Sequence, residues 1–288
     1  MTKTIVLKAD AIAALRARLN DAGFEFRRLD HAHFQARGEG VVVSAYRSGK
    51  VVVQGSGTEA FLDAHGFAEP AAPALKGPVA GSDESGKGDY FGPMTVAAVV
   101  VAPGQADDLA RLGVRDSKQM GDAAALRAAA AIRRTLPHAV RVLAPKEYNA
   151  RHAAEGNVAL FLSTLHAEAI AEAVKAAKGC DRVVIDQFTF AERLEGALKK
   201  EGVHLPVEIR PRAEDNPAVA AASVLARAEF LIGLRELGNE FGTELPKGAG
   251  DPVERVARDI FRAGGMEALA SVAKVHFKTT KRVTGQLF

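Results

Sequence analysis

The stretch of this chain richest in chemical possibility runs Gly81-Ser82-Asp83-Glu84-Ser85-Gly86-Lys87-Gly88-Asp89-Tyr90-Phe91-Gly92-Pro93. It admits two incompatible readings. Gly81 to Lys87 has the G-x-x-x-x-G-K spacing of a phosphate-binding loop, and Val183-Val184-Ile185-Asp186 has the form of the aspartate-ending strand that would partner it. Three features oppose that reading. Gly88 follows the lysine where a hydroxyl should ligate magnesium; Asp83 and Glu84 would repel a triphosphate from inside the loop; and Gly88, Gly92 and Pro93 disfavour the helix such a loop must launch. The alternative is a site for a hard cation. Asp83 stands at the end of an apolar strand, where successive side chains alternate between faces, so Asp83 and Glu84 converge only if the backbone bends straight after them. Gly86 and Gly88 permit that bend, and the bare amides of the loop can approach a sugar or phosphate closely. Taken alone, an adjacent acidic pair is usually a solvated turn.

The elements that must hold these residues are legible from periodicity. Beyond residue 78, strand patterns at 78–83, 94–102, 139–143, 182–186 and 207–210 are interleaved with helical ones at 121–135, 157–178, 191–201, 217–237 and 252–263. Such alternation predicts a central sheet covered on both faces. The link between the first two strands is too short for a crossover helix, so that pair is predicted antiparallel and the sheet mixed. Asp186 closes the fourth strand. Before residue 68 lies a separate pattern: a strand at 4–7, a helix from about Ala11 with Asp10 as candidate N-cap, strands at 33–37, 41–46 and 51–54 with a Ser48-Gly49 turn, and a helix at 58–65. A proline-rich segment, 68–78, reads as a linker between this small α+β domain (1–67) and the larger one (79–288).

The Gly81–Pro93 stretch resembles the opening signature of the type 2 ribonucleases H, and within them the ribonuclease HIII family. Further matches follow in family order: Asp116-Ser117-Lys118, Lys146-Glu147-Tyr148-Asn149, Gly156-Asn157 leading to Leu165-His166, Val184-Ile185-Asp186, Arg212-Ala213-Glu214, Ala220-Ala221-Ala222-Ser223, Pro246-Lys247-Gly248 and Lys274-Val275-His276-Phe277. The resemblance implies an α/β fold with a ribonuclease H-like mixed central sheet flanked by helices, and a small N-terminal α+β domain similar to half of a TATA-binding protein that grips substrate. It also implies an endoribonuclease that cuts the RNA strand of RNA–DNA hybrids with two Mg2+ or Mn2+ ions, leaving 5′-phosphate and 3′-hydroxyl ends. The implied catalytic and metal-binding residues are Asp83, Glu84, Asp186 and Glu214. Asp215 competes with Glu214, because the spacing to the Ala-Ala-Ser element is one residue shorter than the family pattern. Implied substrate contacts are Ser85, Gly86, Lys87 and Gly88, whose backbone would read ribose 2′-hydroxyls, with Ser117, Lys118 and Tyr148 at phosphate or sugar. Lys87 departs from the Arg or Thr common at its position, which puts its side-chain role in doubt. His276 is left outside the catalytic set. Two other activities remain open: incision at single ribonucleotides in duplex DNA, as in ribonuclease HII, and hybrid binding without catalysis.

Bulk composition sets the limits. The chain has 288 residues, 48% hydrophobic, no Trp and a formal charge of +3, too weak to announce a nucleic-acid binder. Charge distribution says more: beyond Ala268 stand Lys274, Lys278, Lys281 and Arg282 without a carboxylate, a tail able to reach phosphates or simply a solvated basic end. The lone Cys180 excludes an intrachain disulfide. The first twenty residues lack an apolar leader core, and the longest strongly apolar run, 96–102, is too short to span a bilayer. The expectation is a cytoplasmic, monomeric protein with no membrane partner.

Overall fold

The computed structural model describes residues 2–65, 75–114 and 120–285, in two compact units, Met1–Ala71 and Ala72–Phe288. In the first, β1 (Thr2–Val6), α1 (Ala9–Asp21), β2 (Glu25–Arg27), β3 (Ala32–Gly38), β4 (Val41–Tyr46), β5 (Lys50–Gly55) and α2 (Thr58–Ala64) follow in order. The strands form one antiparallel sheet, β1-β5-β4-β3-β2. Alternation along them buries Phe34, Ala36, Val43, Ala45, Val51 and Val53 against Ile12, Leu15 and Leu19 of α1. Asp10 does not cap α1 as expected. The helix begins earlier, Lys8 occupies the cap position without a side-chain bond, and Asp10 lies in the first turn, where its charge still complements the helix dipole. Strand β2 was not foreseen, because three residues are too few for alternation to register.

The second unit continues with β6 (Val79–Ser85), β7 (Met94–Val101), α3 (Gln105–Arg111), α4 (Asp122–Thr135), β8 (His138–Leu143), α5 (Pro145–Glu155), α6 (Val158–Ala176), β9 (Arg182–Asp186), α7 (Ala191–Lys200), β10 (Val207–Arg210), a 3₁₀ turn at Ala213–Asp215, α8 (Pro217–Glu240), α9 (Asp251–Val272) and α10 (Lys278–Thr284). Its sheet runs β10-β9-β6-β7-β8, with β6, β9 and β10 parallel and β7 and β8 antiparallel to their neighbours, so the mixed sheet and the antiparallel first pair are borne out. Helices α3, α5 and α10 went unread. Two of them are a single seven-residue stretch, and α5 opens on Pro145, whose ring suits a first helical turn. Helix α9 runs on beyond the expected end at residue 263, through a kink at Gly265. The expected linker lies mostly outside the described residues; Leu75 near its end is buried in the second unit's core.

Two cores cover the sheet. On one face α4 and α8 pack against Val79, Ala97, Val99 and Val184; on the other, α6 and α7 meet Ala80, Val96, Ala98, Val183 and Ile185. Helix α8 lies unusually close to β6. A Cβ on Gly81 would stand 2.2 Å from the backbone of Ala218 and Val219, so only glycine admits that approach. By length and composition α8 could cross a membrane, but 67% of its most apolar stretch is buried within this fold. It is the core helix of the unit.

Candidate active site

The pairing of parallel strands β6 and β9 ends with Ser82 opposite Ile185, and this places Asp83 and Asp186 next to one another just beyond it. Beyond β10 the chain turns at Arg212, held in a left-handed conformation (φ 56°), into the 3₁₀ turn that carries Glu214. The Ala213 amide donates to Asp186 Oδ1 at 3.3 Å, tying the second acidic segment to the third. Asp83, Glu84, Asp186 and Glu214 thus line one cleft of about 480 Å3, together with residues 85–89, Ser223, Arg227, Phe230, Leu231 and Lys247. Asp215 does not line it. That residue is paired with Arg210, and the cap of α8 is Asn216, whose side chain accepts from the Ala218 amide.

The bend expected straight after Glu84 comes later. Strand β6 continues through Ser85, paired to Thr95, and turns at Gly86 (φ 91°), where a Cβ would fall 2.2 Å from Pro93 O. Asp83 and Glu84 therefore keep to opposite faces of the strand. Asp83 accepts from the Glu84 amide at 2.8 Å and from the Ser223 hydroxyl on α8. Burial and the neighbouring Glu84 push its carboxyl up to about 6, against the opposing pull of those donors. Glu84 faces α6. Burial pushes it up as well, but His166 and then Lys87, at 3.2 Å, outweigh that and leave it below the ordinary carboxylate range.

His166 is fully buried. Ser82 Oγ donates its one proton to Ala97 O at 2.8 Å, so the 2.7 Å contact with His166 Nδ1 requires the ring to donate. That leaves Nε2 aimed at Glu84 Oε2, 3.3 Å away but poorly aligned for a hydrogen bond, while Phe188 stacks on the ring at 4.5 Å.

The glycine loop is fastened from far along the chain. The Gly248 amide donates to Asp89 Oδ1 at 2.6 Å. Lys274 Nζ donates to Asp89 O at 3.0 Å and Gly92 O at 2.6 Å. Lys274 is wholly buried, so this member of the basic C-terminal set cannot reach a phosphate. Burial brings its ammonium down to about 7, with Asp89 pulling the other way.

Of the remaining expected contacts, Ser117 and Lys118 lie outside the described residues. Tyr148 is 1% exposed and away from the cleft, its ring edge-on to Phe161 at 5.3 Å, and burial pushes its hydroxyl up to about 12. It is a core residue in this structure. His276 stacks on His152 at 4.0 Å and does not line the cleft. Sequence reasoning gave no role to His166, Ser223, Arg227 or Lys247, although three of them fall within quoted motifs; their sidedness depends on helix rotation, which spacing alone does not provide.

The donor set suits a hard divalent cation: four carboxylates, one of them strongly buried and raised by that burial and by its acidic neighbour. Among the described residues no three acidic, histidine or cysteine side chains stand close enough to hold an ion as they are.

Comparison with known proteins yields concordant relatives. The family described as Ribonuclease HII matches residues 80–280, and a domain of unknown function (DUF3378) matches residues 4–76. A ribonuclease HIII of Protochlamydia amoebophila is 34% identical over 278 residues, covering 93% of this chain and 92% of the relative. One from Streptococcus pyogenes is 34% identical, covering 99% of each. Among solved structures, Bst-RNase HIII in complex with Mn2+ superposes with a TM-score of 0.69 at 35% identity, over 99% of this chain and 98% of that one. Aquifex aeolicus RNase H3 follows with a TM-score of 0.57 at 25% identity, over 96% and 100%.

Proposed function

Because the chain belongs to the ribonuclease HIII family, within the type 2 ribonucleases H, and is a metal-dependent ribonuclease, we propose that it cuts the RNA strand of RNA–DNA hybrids internally, leaving 5′-phosphate and 3′-hydroxyl ends. The observation that carries this reading is the meeting of Asp83, Glu84, Asp186 and Glu214, drawn from three distant segments, in one cleft. These four carboxylates would hold two divalent ions, Mg2+ or Mn2+. Such ions supply charge for the developing nucleophile and for the leaving 3′ oxygen. Asp83, next to Asp186 beyond the paired ends of β6 and β9, is the candidate to be shared by both ions. His166, held in place by Ser82, stands 3.3 Å behind Glu84 and would steady its orientation. Residues 85–88 line the same cleft and present backbone groups to the sugar edge, the means by which a protein distinguishes RNA from DNA without reading sequence. Ser117 and Lys118 remain candidates for phosphate contact by family resemblance. The N-terminal unit is proposed to strengthen binding of the hybrid, and the protein to act in the cytoplasm as a monomer.

The test is direct. Uniform hybrid, double-stranded RNA and duplex DNA with one embedded ribonucleotide are each incubated with Mg2+, Mn2+ or chelator. Cleavage of hybrid alone, abolished by chelator and by Asp186→Asn with binding kept within a few-fold, supports the reading. Cleavage that survives Asp186→Asn removes that residue from the site, and incision at the single ribonucleotide moves the activity toward ribonuclease HII. Deletion of the first 68 residues should chiefly raise the hybrid concentration needed; unchanged binding reduces that unit to a scaffold.

A further inference from the structure

Three lysine and arginine side chains share the cleft with the carboxylates. Lys87 is engaged by Glu84. The other two are gathered by a single residue: Asp122, in the first turn of α4, accepts from Arg227 on α8 through Oδ1 and from Lys247, in the segment joining α8 to α9, through Oδ2, each at 2.8 Å. Three elements thus cooperate to set two cations at the edge of an acidic cavity. The cleft also continues. A second groove, of about 610 Å3, is lined by Asp122, Leu231, Arg235 and Lys247 among others, so Leu231 and Lys247 border both. Lys247 is half exposed, and an ammonium carries three donors, of which the Asp122 contact takes one. Arg227 is the more enclosed of the pair and fixes the position from which Lys247 extends. An ion-pair network of this exposure stabilises a fold little. A phosphodiester arriving at the seam between the two cavities would meet both cations.

We propose that Arg227 and Lys247, ordered by Asp122, form a subsite for one backbone phosphate of the nucleic acid, beside the position where the chain is cut. The ligand chemistry is a phosphodiester oxygen, and its identification with the hybrid rests on the function proposed above. The subsite explains how a cavity dominated by carboxylates can receive a polyanion: attraction at the seam offsets repulsion at its floor.

Binding of a fluorescent RNA–DNA hybrid is measured by anisotropy in chelator, from 50 to 250 mM KCl (a span of roughly one Debye length down to half of it), for the full chain and for Lys247→Gln, Lys247→Arg and the distant Lys199→Gln. Losing one phosphate contact should weaken binding several-fold at the lowest salt and reduce the salt slope by about one. Lys247→Arg should restore the slope, and Lys199→Gln should match the parent. The proposal is overturned if Lys247→Gln binds with the parent's affinity and slope, whether or not it melts lower; the trio would then only fasten α4 to the segment around residue 247. Because the readout needs no cleavage, the two readings fail separately. A hybrid bound with the altered slope but left uncut with Mg2+ and Mn2+ removes the nuclease reading alone, whereas cutting with an unmoved slope removes the subsite alone.

Discussion

Asp83 and Glu84 are neighbours in sequence, yet the two faces of β6 treat them differently. On the face toward α8, Asp83 meets a hydroxyl, an amide and a helix packed so closely that only glycine fits at residue 81; its carboxyl rises to about 6. On the face toward α6, Glu84 meets His166 and reaches Lys87, and its carboxyl falls below the ordinary range. One acidic group is neutralised by the protein; the other waits for a charge from outside. A pleated strand gives two adjacent residues two environments without any bend between them, and this pair uses that to combine a fixed carboxylate with an unsatisfied one.

The contrast is broken most severely at Asp83. Asp83→Asn should lower hydrolysis of hybrid by about a thousandfold or more, while the same protein in chelator melts higher than the parent at pH 7, since a buried, uncompensated charge is gone. Loss of both activity and stability would mean that Asp83 is already compensated. The other face is tested through its histidine. His166→Ala should raise the Mn2+ or Mg2+ concentration needed for half-maximal cleavage by roughly 10–100-fold, with His166→Gln intermediate; an unchanged metal requirement would detach His166 from Glu84. Gly81→Ala should push α8 off β6 and destabilise the chain by about 1–3 kcal/mol, read as a lower midpoint in denaturant.

A further effect is one of pH. The Asp83 carboxyl moves from an ordinary 3.8 up to about 6 on folding, so between those values the folded chain binds more protons than the unfolded one. Its contribution to stability therefore falls as pH rises from about 4 to about 6 in metal-free protein. Parallel denaturant titrations of the parent and Asp83→Asn at pH 4 and pH 7 should show this slope in the parent and its loss in the variant.

What was readable in the chain divides along the same line. Strands β9 and β10 were readable to the residue, because short β-branched runs bounded by turns leave little choice. The four carboxylates could be named because their motifs run in family order, and the structure brings all four to one cleft. The sharp bend after Glu84 was an unnecessary postulate, since it assumed that converging on a cleft requires sharing a face. Tyr148 illustrates the converse: a motif match carries no information on burial, and α5 packs its ring inward. Lys274 is the plainest case. A run of basic residues reads as a solvated tail, whereas its first member is committed to backbone carbonyls in the interior.

That commitment bears on the order in which the molecule assembles. Lys274 and the carbonyl of Asp89 are 185 positions apart in sequence, so the glycine loop acquires its final fastening only after almost the whole second unit has been gathered. Contacts of such span form late, because the entropy of closing the intervening chain must be met first. In a refolding time course followed by amide exchange, protection at Tyr90 and Gly92 should lag behind that of β6 and β7, and cleavage should appear with the slower of the two.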